Sequence, residues 1–374
     1  MTIEREHELE TIDVNVNMGP QHPSTHGVFR MVLTVDGEKV VDVVPHIGYM
    51  HRGAEKLSEH MDYRQGIGYH DRTEYLAQFH AELCFVEAIE KLAGLEVPER
   101  SQYLRVILCE LNRLTSHFMF MGAFGIDAGI FGTAFTYAFR ERETIQDLFE
   151  EVTGDRLMYA YFRPGGVAWD VPENFVERVH QVLASARQGI QDIDDLLTRN
   201  EIFIARTRDI GVISQEDAVE WGLTGPALRA TGVRWDLRKD EPYCIYDRFD
   251  FDVPVGERGD CYDRYLVRLE EMRQSVRIVE QAVKDLPGGP ILPEKLPRRL
   301  RVPPGEVYGR VEAPRGEYGV YLYSKGGERP YRLKIRSSCF SNLMGLRDMT
   351  VGHYVADAVM VLGSMDIVLC EVDR

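Results

Sequence analysis

The sequence predicts an α+β protein with a helical middle, and three observations carry that expectation. Residues from about 11 to 50 alternate in the two-residue period of strands; from about 54 to 200 the apolar spacing turns helical; beyond a proline-rich stretch strand patterns return. The chain has 374 residues, so it can bury roughly 75% of its unfolded surface and form two or three domains without disulfides or structural metal.

In the first region, IDVNVN and GVFRMVLTVDGEKVVDVV read as a small antiparallel sheet, turned at a DG pair. The loop GPQHPSTHG lies between its strands. Four long amphipathic stretches follow. TEYLAQFHAELCFVEAIEKLAG is expected to end at Gly94 as a C′ glycine, and SQYLRVILCELNRLTSHFMFMG to begin at Ser101 as N-cap. FTYAFRERETIQDLFEEVTG and ENFVERVHQVLASARQGIQDIDDLLTRN complete the set. Residues 201–260 read as irregular. A strong helix follows from about 261 to 286, with Leu266, Leu269, Met272, Val276 and Val279 on one stripe. Residues 287–304 hold six prolines and read as a linker. The resulting organisation is 1–53 as a β-rich domain, 54–286 as a helical bundle, and 305–374 as a C-terminal β segment and tail.

Phe118 to Phe139 has the length of a membrane span, but four glycines and Asp127 make it a poor insertion candidate, so it is expected to be buried in the protein. The polar N-terminal stretch has no apolar signal-peptide core. A net charge of −16 argues against general nucleic-acid binding. The six cysteines form no C-x-x-C pair, so neither a disulfide framework nor a metal knuckle is expected, and a reducing compartment fits. No GxGxxG, GxxxxGK[ST] or GxSxG motif is placed where it would bind NAD or ATP or form a hydrolase elbow.

Seven of 11 histidines fall between positions 22 and 80. His22 and His26 are four apart, but Pro23 makes their segment a loop, where that spacing loses its meaning as a metal pair; satisfied polar residues at an interface are the plainer reading. Asp127 must be paired, hydrogen-bonded or protonated, because an isolated buried charge is very costly. A proton relay, a carboxylate orienting a histidine, and a helix-end cap remain open for it. Arg72 and Tyr75 fall near the start of an apolar helix, where side chains can face a cavity.

GPQHPSTHGVFR, PHIGYMHRGAEK, YLRVILCELNRLTSH, FRERETIQDLFEEVTG, RPGGV, GLTGPALRATGVRWDLRK, CYDRYLVRLEEMRQS and LGSMDIVLCEVDR, in this order over nearly the whole chain, resemble the 49-kilodalton (D subunit) family of proton-pumping NADH:quinone oxidoreductase, respiratory complex I. The resemblance implies a fold like the nickel–iron hydrogenase large subunit, with an N-terminal β domain, a central bundle and a C-terminal segment folding back on the core. It implies a quinone headgroup chamber shared with the B subunit, whose iron–sulfur cluster is the electron donor. The C subunit and the membrane-arm H subunit are further implied partners. His26 and Tyr75 match the two quinone contacts, and Asp127 the carboxylate that pairs with the histidine. Arg52 and Arg72 match arginines near the partner's cluster. The chain itself is expected to hold no cofactor and no metal, to take menaquinone or ubiquinone as substrate, and to sit peripherally on the cytoplasmic side of a cell membrane.

Some positions depart from the family pattern. The hydrogenase ligand positions lack cysteine in Asp366-Ile-Val-Leu-Cys370-Glu371, which disfavours a nickel enzyme. Met158 stands where relatives often have histidine, which removes pH-linked tuning of the cluster there and points toward a low-potential quinone such as menaquinone. Gly132-Thr133-Ala134-Phe135 replaces the usual T-P-F-F segment. The electron donor of the complex is left open between NADH, a reduced deazaflavin and ferredoxin. The rivals are a scaffold that merely clamps the B subunit and a histidine-ligated metalloenzyme.

Overall fold

A computed structural model describes residues 13–21, 25, 27–130, 132–297 and 299–374. Three antiparallel strands open the chain: β1 (Val14–Met18), β2 (Arg30–Asp36) and β3 (Lys39–His46), in the order β1-β2-β3. Met31, Leu33 and Val35 alternate inward from β2 and meet Val40 and Val43 of β3, as a period of two requires. Short helices α1 (Ala54–Ser58) and α2 (Ile67–Thr73) lead into the bundle of α3 (Gln78–Ala93), α4 (Glu99–Asp127) and α5 (Thr133–Thr153).

After the two-residue strands β4 (Phe162–Arg163) and β5 (Gly166–Val167), α6 (Phe175–Ile193) passes into a π-helical turn, Asp194–Thr198. The region read as irregular holds four short α-helices, α7 (Glu201–Thr207), α8 (Gln215–Glu220), α9 (Gly225–Arg229) and α10 (Leu237–Asp240), and a 3₁₀ turn at Tyr246–Arg248. The helix α11 (Cys261–Lys284) starts where the Asp260 side chain accepts the Asp263 N–H. A second antiparallel sheet, β6 (Val302–Ala313), β7 (Gly316–Gly327) and β8 (Arg332–Arg336), packs on α3. Then α12 (Ser338–Met344), α13 (Leu346–Thr350), α14 (Val355–Ser364) and α15 (Leu369–Asp373) return over the bundle.

Gly94 ends α3 in the left-handed conformation with φ 63°, as expected of a C-terminal glycine. Three expectations are corrected. Helix α4 begins at Glu99 behind Pro98, because Glu99 at the first turn suits the helix dipole; Ser101 lies inside the helix and donates to the Ile291 carbonyl at 2.6 Å. The Phe118–Phe139 stretch is buried mainly in its first half; helix α4 ends at Asp127, and α5 exposes Thr136 and Tyr137 while burying Ala134 and Ala138. The tail read as strand and turn is half helix, since a short apolar run such as VADAVMVL fits either period. The Tyr354–Asp357 capping box starts α14 there.

Helix α4 is the axis of the molecule, packed by α3, α5, α11 and α14. Its polar face is buried and paired. Glu110 receives Arg113, Arg238 and the hydroxyls of Tyr246 and Ser275; His117 meets Glu271 at 2.9 Å, and Glu271 also holds Arg229. Burial alone would raise the Glu110 carboxyl, but Arg113 and Arg238 outweigh it and hold Glu110 well below the usual carboxylate range. Each buried charge therefore has a partner, the condition for its presence in a low-dielectric interior.

Candidate active site

The turn between α2 and α3, residues 74–77, brings Glu74 and Tyr75 against the C-terminal half of α4. Together with α14 and the turn before α15 they enclose a cavity of about 290 Å³. Phe120 and Phe124 of α4 give it an apolar wall; Tyr75 and Asp366 are its polar side chains. A planar ring with a polar edge is the shape this lining suits. Burial, then the neighbouring Cys370 and Glu74, push the Tyr75 phenol up to about 12, so it holds its proton at neutral pH and can donate it.

Behind Asp366 stands a fixed cation. Arg315 donates Nε to the Asp366 carbonyl at 2.8 Å and Nη2 to its Oδ1 at 3.1 Å. The same guanidinium reaches Ser116 Oγ at 2.8 Å and Glu74 at 3.4 Å. Arg268 lies over the Phe120 ring at 4.2 Å and within 3.9 Å of the other Asp366 oxygen.

Asp127 is the last residue of α4. A carboxylate there is not capping that helix, because the C-terminal end presents carbonyls. Gly363 lines the cavity, and a Cβ built on it would come within 2.5 Å of Asp127 Oδ2, so the carboxylate stands directly behind the cavity wall. Tyr75 thus lines the cavity, and Asp127 stands behind its Gly363 wall. His26 lies outside the described residues.

Arg52 and Arg72 lie at a second, neighbouring cavity of about 180 Å³. Arg52 Nη2 donates to the Arg72 carbonyl at 2.7 Å, and both side chains are exposed. The two cavities flank α15, which contributes Leu369 to the first and Cys370 to the second.

Two buried carboxyl pairs adjoin this site, and neither was read from the sequence. Glu74, Glu371 and Cys339 have ligand-type atoms within 4.8 Å of one another. Glu371 already accepts from Ser337, Ser338 and the Cys339 thiol and N–H, while Arg315 supplies the neighbouring positive charge. Burial raises Glu74 well above the usual range, so it keeps a proton and donates it to the Glu371 carboxylate. This donor set fits a proton-sharing pair better than a metal site. One turn earlier, Asp71 and Glu82 form a second pair, holding the backbone N–H groups of Ala160 at 2.9 Å and Phe162 at 2.7 Å. Burial pushes Asp71 up to about 6. The only sequence signal for either pair was the density of acids around an apolar helix.

The family profile described as "Respiratory-chain NADH dehydrogenase, 49 Kd subunit" matches residues 127–300 and 294–374. The D subunit of NADH-quinone oxidoreductase from Dehalococcoides mccartyi is 50% identical over 366 residues, covering 98% of this chain and 100% of that protein. The D subunit from Carboxydothermus hydrogenoformans is 47% identical over 365 residues, 98% of this chain and 100% of that protein. That from Geobacillus thermodenitrificans is 49% identical over 366 residues, again 98% of this chain and 100% of that protein. These relatives place the chain in the class of oxidoreductase subunits. The chain belongs to the family of the 49-kilodalton (D) subunit of the respiratory-chain NADH dehydrogenase, complex I.

Proposed function

We propose that this chain supplies the quinone headgroup site of its complex. With the B subunit it forms the chamber in which the terminal iron–sulfur cluster of that partner reduces menaquinone or ubiquinone, and the reduction is coupled to proton translocation. The observation that carries the reading is the apolar cavity edged by the Tyr75 phenol and backed by Asp127. Two-electron reduction of a quinone requires two protons at its carbonyl oxygens. A phenol that keeps its proton until a stronger base forms beside it suits one of these deliveries. His26, which the family resemblance pairs with Asp127, would suit the other. Arg52 and Arg72 would face the partner's cluster, where positive charge favours the reduced state.

In this reading the chain carries no redox cofactor. It sits peripherally on the cytoplasmic face of the membrane, against the B and C subunits and the membrane-arm H subunit. Among the described residues no helix is long and apolar enough to cross a membrane, which accords with attachment through other components of the complex.

The test is Tyr75→Phe in native membranes, after normal assembly is confirmed. NADH-to-quinone transfer is compared with NADH-to-ferricyanide transfer, which bypasses the chamber. Loss of the first with retention of the second supports the reading; retention of both removes Tyr75 from the chemistry and favours a scaffolding role.

A further inference from the structure

The turn that carries Tyr75 is tied to α4 through a set of hydrogen bonds, some of them by way of Arg315 and Gln78. Glu74 is held through Arg315, which also bonds Ser116 of α4. The Tyr75 carbonyl accepts from Gln78 Nε2. Gln78 Oε1 in turn lies 3.3 Å from Asn112 Nδ2. The Leu76 carbonyl lies 3.4 Å from the same Nδ2, and the Phe79 N–H donates to Asn112 Oδ1 at 3.1 Å. Thr115 Oγ1, which donates to the Asn112 carbonyl, closes the set 3.2 Å from Nδ2.

Asn112 and Gln78 are both almost wholly buried, at 1% and 2% exposure. A carboxamide is needed at 112 because the turn and the first residues of α3 present one donor, the Phe79 N–H, and two acceptors, the Leu76 carbonyl and Gln78 Oε1. Only a side chain with both an oxygen and an NH₂ group answers all three. Within the turn, the Tyr75 side chain is the polar group that faces the cavity.

We propose that Asn112 is a positioning residue for quinone reduction. Through Leu76, Gln78 and Phe79 it fixes the backbone on either side of Tyr75, and so sets where the phenol stands against α4. The inference rests on the reading of Tyr75 as the proton donor. Its consequence is kinetic: a donor displaced by about an ångström loses on the order of 10- to 100-fold in rate, while substrate binding by the apolar wall persists.

The experiment is Asn112→Asp in the assembled membrane complex. Aspartate keeps the acceptor for Phe79 and loses both donors. We expect the kcat for quinone to fall 10- to 100-fold with little change in KM, and ferricyanide reduction to stay at the parent rate. On a Tyr75→Phe background the same change lowers the residual rate by no more than about twofold, because the group it positions is already gone. Where that residual rate falls below detection, the split between kcat and KM decides.

Gln78→Leu, which breaks the link without introducing a charge, gives the same pattern if Asn112→Asp assembles poorly. Full kcat in the single variants, with Tyr75→Phe inactive, overturns the positioning role alone. Equal losses in both backgrounds overturn it too. Full quinone activity in Tyr75→Phe removes the underlying reading and this inference with it.

Discussion

Arg315 and Asp366 meet twice, once through the Asp366 carbonyl at 2.8 Å and once through its carboxylate at 3.1 Å. Asp366 has φ 55°, a left-handed backbone that an L-residue adopts only when its surroundings hold it there. The guanidinium supplies that hold, and it reaches Glu74 and Ser116 from the same place.

Arg315→Met removes a fully buried cation while leaving the Asp366 charge behind. The expected cost is about 3–5 kcal/mol, because breaking a buried pair strands its partner. Arg315→Lys keeps the charge but lacks the planar fork that serves three partners, and falls between wild type and the Met variant. Native electrophoresis of detergent-extracted membranes reads the loss of assembled complex. Wild-type yield of the Met variant would contradict this account.

Gly363→Ala isolates the carboxylate behind the cavity. The position lies in α14, where alanine is by itself favoured over glycine by about 1 kcal/mol, so the backbone does not resist the change. The new methyl group would stand 2.5 Å from Asp127 Oδ2 and forces that oxygen to move. Quinone reduction is expected to drop by at least about tenfold, with ferricyanide reduction and thermal stability held. Unchanged quinone turnover would show that the placement of Asp127 does not matter.

Ala123→Phe places a ring in the cavity itself. Ala123 lies on α4 between Phe120 and Phe124 and lines the same space of about 290 Å³. A substrate that uses this cavity must compete with the new ring, so the KM for quinone should rise at least about tenfold, about 1.4 kcal/mol of lost binding. Steady-state titration with a short-chain quinone measures it, and an unaltered KM places the substrate elsewhere.

The Asp71–Glu82 pair makes stability depend on pH with a definite sign. Asp71 titrates at about 6 in the folded protein, above its value in an unfolded chain, so the folded state binds the extra proton. Stability from this group is full below about pH 4 and is lost as pH rises through about 6, amounting to at most ~3 kcal/mol. Arg72 and Arg163 oppose the shift, and Tyr159 feels both acids. In Asp71→Asn/Glu82→Gln neither group titrates. Relative to this variant, the wild-type complex should therefore gain thermal midpoint on going from pH 7.5 to 5.5. Parallel curves would show that the pair carries no such proton.

The sequence made the elements legible where local chemistry decides them. Alternation placed β2 and β3, and the Gly94 ending of α3 followed from glycine's access to left-handed backbone. It did not foretell α4, whose regularly spaced charges form the inner polar core. A signal was present: the charged face of α4 uses Arg105 and Arg113 and no lysine, and arginine is the cation that suits buried, multiply bonded pairs. Asp127 stood out as a carboxylate in an apolar stretch, and Arg72 and Tyr75 by their place at the start of an apolar helix, while Arg52 came from motif likeness alone; the structure sets Tyr75, Arg52 and Arg72 at two adjoining cavities and Asp127 behind the wall of the first. Arg315 and Glu74 were not singled out, and Asp366 only as a ligand position lacking cysteine, because their meeting depends on contacts between residues more than 50 positions apart. Chain spacing carries no trace of such pairings.

Helix α4 runs unbroken from the residue that clamps the Tyr75 turn to the carboxylate at its own end, 15 residues on and so about 22 Å away. A rod packed on all sides does not flex cheaply. The span between Asn112 and Asp127 is therefore a fixed gauge, cut when the chain folds. Any motion that changed the relation of phenol to carboxylate would have to move the loops around the rod, leaving the rod itself as the reference against which they open and close.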